Sequence, residues 1–274
     1  MCLRLFFRQE KGLSMAYADL QGQRIYYEVT GQGPALILLH SLGFNSGAWR
    51  EQIKVLSPHY TVITPDIRGH GRSPHQKTIT VSGVVDDVEG LISYLNVERC
   101  HLLGISMGGI FSLSYYHRNP DKVRSLILAD SYATLGEAGK SRVEAAEARW
   151  ASGIDMAAFG REYAADCLMP TTPASLHEEL ASAIAEMQPQ AYLETMRAIF
   201  LADVSDVLPQ VRVPTLVLVG MQDHRTPIAF SEVLAQKIPH ARLVTIPQAG
   251  HLSNLDNPPA FNTIVLDFLK SLTS

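Results

Sequence analysis

Residues 100–109 read CHLLGISMGG, and the rest of the chain is interpreted from this stretch. An apolar run at 100–103 is followed by a serine between glycines and then by a helix-forming segment from Ile110. This order predicts a buried strand that turns sharply into a helix, with Ser106 at the turn. The flanking glycines would let strand and helix approach closely while the turn exposes the hydroxyl. The alternative is an ordinary loop, because a pattern as short as G-x-S-x-G can occur by chance.

The chemistry of serine tells us which partners to seek elsewhere in the chain. A serine hydroxyl is a weak nucleophile and needs a neighbouring base, as well as backbone N–H groups that bind the oxyanion formed on attack. In this strand–turn–helix context the acid and the histidine follow in the order Ser, Asp or Glu, His. Asp223 follows the apolar run 214–220, and His251 follows the run 241–247. Strand carboxyl ends share one edge of a parallel sheet, so Ser106, Asp223 and His251 form the predicted triad.

Each partner also has another interpretation. Asp223 could be a turn former and His251 a loop histidine, although their joint placement and order favour the triad. Asp130 ends the run 124–130 and is the rival for the acid. Asp223 is preferred because Asp130 leads directly into a helical segment. His224 is interpreted as a surface histidine.

Short apolar runs separated by helix-period segments predict the fold class. Several runs are apolar on both faces, which is typical of parallel strands covered on both sides. The runs are 23–30, 35–40, 61–66, 100–105, 124–130, 214–220 and 241–247. The pattern predicts an open α/β sheet. The first two runs flank GQGP at 31–34 and are predicted to pair antiparallel.

The stretch 133–211 contains helix formers punctuated by glycine and proline and no convincing strand. It predicts a four-helix insertion. We therefore expect a core formed by 16–132 and 212–274, a helical cap at 133–211, and a poorly ordered N-terminal extension at 1–15, with Met15 as a candidate start.

Composition excludes several classes of protein. The 274 residues are 46% hydrophobic and 18% charged, with a net charge of −4 and no basic run. A nucleic-acid partner is not expected without a basic surface, and no apolar stretch is long enough for a membrane span. The apolar patch at 3–7 is too short and too polar in its surroundings for a signal peptide. Cys2, Cys100 and Cys167 show neither a disulfide framework nor metal-ligand spacing. We expect a cytoplasmic protein without membrane association.

Five motifs occur in a family-specific order. They are LLHSLG, DIRGHGRS, GISMGG, VGMQDHRTP and AGHLSNLDNPP. With them the sequence resembles the α/β-hydrolase superfamily over nearly its whole length from about Ala16. The resemblance implies a mostly parallel α/β-hydrolase sheet flanked by helices, with a helical lid inserted after the sixth core strand over a Ser-His-Asp site.

Within that superfamily, HSLGF, NSGAWREQIKVLSPHY and HLSNLDNPP are similar to the 3-oxoadipate enol-lactonase branch. The likeness implies that the backbone N–H groups of Met107 and Leu42 form the oxyanion hole. Ser41 stands where most relatives have glycine, which narrows the allowed backbone angles there. Phe44 stands where those lactonases usually have threonine, so the particular substrate can differ.

The cap supplies the candidate substrate-binding residues. Ligand pockets are mainly apolar with a few polar anchors, and Trp150 and Phe159 are the cap residues chosen as lining. Arg149 could contact a substrate carboxylate, although a solvated helix charge is an equal alternative. Ser41 and Phe44 complete the candidate substrate contacts.

Two charged clusters are interpreted as structural. The stretch DIRGHGRSPH could suggest a metal site, but in this family it is a turn whose polar groups bond locally. The stretch contains His70 and His75 together with Asp66 and Arg68. The acidic residues of the next predicted helix are expected to face solvent; they are Asp86, Asp87 and Glu89. No metal or cofactor is expected.

Together these features predict a serine hydrolase that cleaves a small-molecule carboxylic ester or lactone through an acyl-enzyme, with 3-oxoadipate enol-lactone-like compounds first. The same triad serves C–C bond hydrolases of ring-cleavage products, haloperoxidase-like enzymes and acyl-homoserine lactonases. A ligand-sensing receptor on the same fold is the alternative that is not an enzyme. A homodimer is compatible with the sequence.

Overall fold

A computed structural model describes residues 14–272 and contains an eight-stranded sheet in the order β1-β2-β4-β3-β5-β6-β7-β8. The strands are β1 (Ser14–Leu20), β2 (Gln23–Thr30), β3 (Ala35–Leu39), β4 (Thr61–Pro65), β5 (Cys100–Ile105), β6 (Val123–Ala129), β7 (Thr215–Gly220) and β8 (Arg242–Ile246). Strands β3 to β8 run parallel to one another, whereas β2 is antiparallel to both β1 and β4. The predicted α/β class and the mostly parallel sheet are confirmed.

Helices follow most of the strands and cover the sheet. They are α1 (Arg50–Leu56), α2 (Val81–Tyr94), α3 (Met107–Arg118), α4 (Glu137–Ala151), α5 (Met156–Cys167), α6 (Ala174–Ala185), α7 (Pro189–Phe200), α8 (Ile228–Lys237), α9 (Ser253–Asp256) and α10 (Pro258–Ser271). Helix α2 packs against α3, and α1 packs against α10. Every residue of β5 and of β7 is buried, as expected for central strands covered on both faces. Each fully buried Leu, Ile or Val there contributes about 1.5–3 kcal/mol to stability.

The predicted antiparallel pairing of 23–30 with 35–40 is wrong. Strand β2 pairs with β4 instead, and β3 lies between β4 and β5. The GQGP segment is a crossover that packs closely on backbone, because a Cβ on Gly31 would lie 2.1 Å from the Ser57 carbonyl oxygen. A Cβ on Gly33 would lie 2.4 Å from the His59 carbonyl oxygen. The glycines therefore serve this close approach and not a hairpin turn.

The predicted N-terminal extension, 1–15, includes two residues that belong to the first strand. Residues 1–13 lie outside the described part of the chain, but Ser14 and Met15 already belong to β1 and pair with Val29 and Glu28 of β2. Strand β1 was not predicted, since its sequence SMAYADL mixes small, polar and aromatic residues. As an edge strand it buries little, which explains its weak apolar pattern.

The prediction that Asp87 faces solvent is wrong. Its carboxylate is buried and receives hydrogen bonds of 2.5 and 2.7 Å from the Arg68 guanidinium. Arg68 also donates to the carbonyls of Thr78 and Gly83, so it joins the turn after β4 to the start of α2. Burial raises the pKa of Asp87 even though Arg68 opposes the shift. Neighbouring Asp86 is exposed and pairs with Arg118 at the surface.

Four helices, α4 to α7, lie between β6 and β7. Helix α5 packs against α6 and α4 packs against α7. A β-bridge between Thr134 and Asp203 joins the two ends of this segment. Its role as a cap over a functional site stays a prediction. Across residues 14–272, none of the helices combines the length and apolarity that a bilayer span requires.

Candidate active site

Ser106 occupies a strained turn between β5 and α3. Its backbone has φ +53° and ψ −113°, a region that residues with side chains rarely adopt and that costs about 1–3 kcal/mol. Hydrogen bonds hold the residue on both sides. Its N–H donates to the Ala129 carbonyl at 2.8 Å, and its carbonyl accepts from the Ser131 hydroxyl at 2.8 Å. The predicted sharp turn is thus present and is fixed by the end of β6.

The glycines around Ser106 are required by close backbone contacts. A Cβ on Gly104 would lie 2.1 Å from the carbonyl oxygen of Gly108. A Cβ on Gly108 would lie 2.1 Å from the carbonyl oxygen of Leu39 in β3. Strand β5 and helix α3 can meet at this angle because neither position has a side chain.

The structure brings Ser106, His251 and Asp223 together. The Nε2 atom of His251 lies 2.9 Å from Oγ of Ser106, and its Nδ1 atom lies 3.0 Å from Oδ2 of Asp223. All three residues are buried, with 6%, 3% and 6% exposure for Ser106, His251 and Asp223. A neutral imidazole with its proton on Nδ1 fits both contacts, because it donates to the carboxylate and accepts from the hydroxyl.

Asp223 is held as an anion by the turn that follows β7. Its Oδ1 atom accepts the backbone N–H groups of Arg225 and Thr226, both at 2.9 Å. Burial acts to raise the pKa of Asp223, but the charge of His251 and the hydrogen bonds from His251 and Thr226 outweigh it and lower the pKa to about 2. The carboxylate is therefore ionised near neutral pH.

Thr226 is a residue of this site that the sequence analysis missed. Its hydroxyl lies 2.6 Å from Oδ2 of Asp223 and 3.1 Å from Nδ1 of His251. It also lies 2.9 Å from the carbonyl oxygen of Asp130. A threonine three residues after the acid, just before Pro227, was the available signal.

Asp130, the rival acid, has a different position. It is fully buried, and its carboxylate accepts the Gly220 N–H at 2.8 Å. It also accepts the N–H of Ser253 at 3.1 Å and its hydroxyl at 2.6 Å. Burial, and next the charge of Asp223, raise the pKa of Asp130. Asp130 thus joins the ends of β6 and β7 to the segment after His251, while Asp223 contacts the imidazole.

The loop that carries His251 is fixed by the insertion as well as by the core. The His251 N–H donates to the carbonyl of Cys167, at the end of α5, at 3.1 Å. The Gly250 N–H donates to Oδ2 of Asp256 at 2.7 Å, and the Met169 N–H donates to Oδ1 of the same carboxylate at 3.0 Å. Asp256 therefore ties the histidine loop to the segment that follows α5.

Of the two predicted oxyanion donors, Met107 directly follows Ser106 and Leu42 lies in the loop after β3. Met107 is the first residue of α3, so its N–H has no partner within the helix and lies at the positive end of the helix dipole. Leu42 is buried in the loop after β3. That loop is anchored by His40, whose Nδ1 atom lies 2.8 Å from the Ser41 carbonyl and whose Nε2 accepts the Ile67 N–H at 2.9 Å. Burial lowers the pKa of His40 to about 4, so it is neutral and can accept that bond.

The predicted substrate contacts fall into two groups. Ser41 and Phe44 are buried in the loop after β3, each with 1% exposure. Trp150, Phe159 and Arg149 instead line a cavity of about 520 Å³ in the insertion. The Arg149 guanidinium bonds Glu162 at 2.7 Å and lies 5.1 Å from the Phe159 ring. None of the triad residues belongs to the described lining of this cavity, so the structure does not place these three side chains at Ser106.

Of the histidines outside the triad, His224 and His75 each contact a carboxylate. His224 is exposed, as predicted, and its Nε2 atom lies 2.8 Å from Asp166. His75 lies 2.9 Å from Glu194, on α7. Asp66 accepts the backbone N–H groups of Ser46 and Arg72 at 2.7 and 2.8 Å. Within residues 14–272, no cluster of three or more His, Cys, Asp or Glu side chains is arranged to hold a metal ion.

Known proteins resemble this chain over most of its length. It is 31% identical to 3-oxoadipate enol-lactonase 1 of Acinetobacter baylyi over 269 residues, which covers 94% of this chain and 98% of that protein. It is 30% identical to the putative carbamate hydrolase RutD of Pantoea ananatis, covering 91% of this chain and 94% of that protein. The crystal structure of the enol-lactonase from Burkholderia xenovorans superposes with a TM-score of 0.86 at 28% identity, covering 93% of this chain and all of that one.

The fold and the serine turn agree with the protein family whose model this sequence matches. The family model described as the alpha/beta hydrolase fold matches residues 34–258, which run from just before β3 to the start of α10 and include Ser106, Asp223 and His251. The chain therefore belongs to the α/β-hydrolase family.

Proposed function

We propose that this protein is a serine hydrolase that cleaves carboxylic esters or lactones through an acyl-enzyme. The observation that carries the proposal is the pair of contacts made by His251, 2.9 Å to the Ser106 hydroxyl and 3.0 Å to the Asp223 carboxylate. This arrangement can remove a proton from the serine at the moment of attack.

In the proposed reaction, Ser106 Oγ attacks the substrate carbonyl while His251 Nε2 takes its proton. Asp223 holds the imidazole in the tautomer that can accept at Nε2, and it stabilises the imidazolium that forms. The N–H groups of Met107 and Leu42 bind the oxyanion. Collapse of the tetrahedral intermediate expels the alcohol or enol, which receives the proton from His251. A water molecule, activated by the same histidine, then releases the acid.

A lactone of the 3-oxoadipate enol-lactone type is the first substrate to test, since enol-lactonases are among the relatives that cover nearly the whole chain. A carbamate is the second, because several relatives about 30% identical are putative carbamate hydrolases. Both substrates present a carbonyl to the same nucleophile. They differ in the leaving group and in the shape that the cleft must accept.

We further propose that helices α4 to α7 act as a cap over this site. Two contacts support it. A Cβ on Gly43, in the loop that carries Leu42, would lie 2.7 Å from the Ile184 side chain of α6 and 3.6 Å from Tyr192 of α7. The Cys167 carbonyl of α5 accepts the His251 N–H. Movement of these helices would therefore reach the oxyanion loop and the histidine loop.

The test compares wild type with Ser106→Ala and the matched variant Ser114→Ala on a panel of a 4-nitrophenyl ester, an enol-lactone and a carbamate. Ser114 lies two turns further along α3 and bonds only the Ile110 carbonyl within the described residues. We expect Ser106→Ala to lose at least a thousandfold in kcat and Ser114→Ala to keep full activity. A fluorophosphonate should label Ser106 in wild type. Full hydrolysis by Ser106→Ala would refute the proposal, and a protein that is neither labelled nor active would favour the receptor alternative.

A further inference from the structure

The cavity of about 520 Å³ in the insertion has its own chemistry. It lies between α4, α5, α7 and the turn after Asp223, and it falls within the size range of small-molecule sites. Its walls combine aromatic side chains with guanidinium groups, while its described lining contains no triad residue. A ligand held there would not occupy the serine turn.

Three aromatic rings in the cavity wall pack against one another in fixed orientations. The rings of Trp150 and Tyr192 stack at 5.5 Å with an angle of 17° between their planes. Phe159 meets both rings nearly at right angles, at 5.2 and 5.1 Å. The indole N–H of Trp150 is already bonded to the Pro189 carbonyl at 3.0 Å, which fixes the ring orientation. Aromatic faces and edges held this rigidly favour a flat apolar ligand.

One of the three arginines in the described lining has no carboxylate partner in the described chain. Arg149 pairs with Glu162, and Arg225 pairs with Asp166. Arg142 bonds only the Arg225 carbonyl at 3.4 Å and lies 5.8 Å from the Phe200 ring, without a carboxylate partner in the described chain.

His224, which also lines the cavity, adds positive charge as the pH falls, because its bond to Asp166 raises its pKa. The cavity therefore carries a net positive charge beside apolar rings. The planar fork of a guanidinium matches a carboxylate group.

We propose that this cavity is a second ligand site, which binds a monocarboxylate carried on a planar aromatic or conjugated body. Arg142 would bind the carboxylate, and the rings of Trp150, Phe159 and Tyr192 would contact the body. The site does not depend on the proposed hydrolase function, since its ligand is bound and not cleaved. It does adjoin the catalytic turn, because Arg225 lines the cavity and its backbone N–H donates to Asp223.

The test is calorimetric titration of the full chain carrying Ser106→Ala with 2-naphthoate and, as the neutral counterpart of the same shape, 2-naphthalenemethanol. We expect naphthoate to bind at least tenfold more tightly than the alcohol. Adding Arg142→Gln should weaken the binding of naphthoate about tenfold and leave the affinity for the alcohol unchanged, because only a bond to a charged group is lost. Arg242→Gln, an exposed arginine on β8, is the matched control and should change neither affinity.

Two further measurements separate this site from the serine turn and from a general effect of charge. Phe159→Leu should weaken both compounds equally, since both have the same ring system. Wild-type protein whose Ser106 has been labelled with a fluorophosphonate should bind naphthoate as before. Equal affinity for the two compounds, unchanged affinity in Arg142→Gln, or loss of naphthoate binding after labelling would overturn the proposal. A wild-type protein that binds naphthoate but hydrolyses none of the substrates in the panel would count only against the proposed function.

Discussion

The Nε2 atom of His251 lies 2.9 Å from the hydroxyl oxygen of Ser106, although 145 residues separate them in the chain. The contact exists because β5 and β8 end at the same edge of the sheet, and because both residues follow their strands within a few positions. The insertion contributes as well, since the Cys167 carbonyl holds the His251 backbone. The proposed site therefore depends on the sheet edge together with the bond from the insertion to the histidine loop.

Gly108→Ala should unfold at lower urea concentration than wild type, with a loss of about 1–3 kcal/mol. Its Cβ would lie 2.1 Å from the carbonyl oxygen of Leu39, and backbone cannot move aside as a flexible side chain can. Gly90→Ala is the matched control. A Cβ there would meet Leu20 at an ordinary 3.4–3.5 Å within helix α2, so the free energy of unfolding should rise by about 0.5–1 kcal/mol. Equal effects of the two variants would contradict the close approach of α3 to β3.

Thr226→Val should lower kcat/KM ten- to a hundredfold, which corresponds to about 1.5–3 kcal/mol for a hydrogen bond to a charged group. The hydroxyl lies 2.6 Å from Oδ2 of Asp223 and 3.1 Å from Nδ1 of His251, so its loss frees the pair to rotate. Thr226→Ser keeps the hydroxyl and should restore most of the activity. Steady-state kinetics on a 4-nitrophenyl ester would measure this. A serine variant as slow as the valine variant would mean that the methyl group matters and the hydroxyl does not.

The features predicted from the sequence are those that a local pattern determines. Residues 100–105 and 214–220 are apolar on both faces, which identifies central parallel strands. The glycines around Ser106 identify the sharp turn. The carboxyl ends of parallel strands lie at one edge of the sheet. The order of the motifs was therefore enough to predict that Asp223 and His251 lie close to Ser106.

The features that were missed depend on partners distant in the chain. The pairing of β2 with β4 is decided by where β3 lies, and no pattern within 23–40 contains that information. Asp87 looks like its exposed neighbour Asp86 until Arg68 is seen to lie against α2. Thr226 bonds the carbonyl of Asp130, which follows β6, and Asp130 bonds the Gly220 N–H at the end of β7. The assignment of Trp150 and Phe159 to the substrate stays a prediction, since their rings line a cavity between α4, α5, α7 and the turn after Asp223.

Asp223→Asn should change how stability depends on pH. The folded protein holds the pKa of Asp223 at about 2, below the value of about 3.9 in an unfolded chain. A lowered pKa contributes stability that is fully present above pH 4 and is lost as the pH falls through 2. Wild type should thus exceed the variant in free energy of unfolding by about 2 kcal/mol at pH 6, with the difference shrinking between pH 4 and 2. Urea titrations across this range would measure it, and a difference independent of pH would contradict the assignment.

The final prediction compares two adjacent carboxylates on α2. Asp87→Ala leaves the buried Arg68 guanidinium without its partner and should cost about 3–5 kcal/mol of unfolding free energy. Asp86→Ala removes only an exposed pair with Arg118, since Asp86 has a side-chain exposure of 64%, and should cost less than about 1 kcal/mol. Changing Arg68 to Met together with Asp87→Leu should recover much of the lost stability, because no buried charge then remains unpaired. Thermal and urea unfolding of the four proteins would measure these differences. Equal costs for Asp86→Ala and Asp87→Ala would mean that both side chains face solvent.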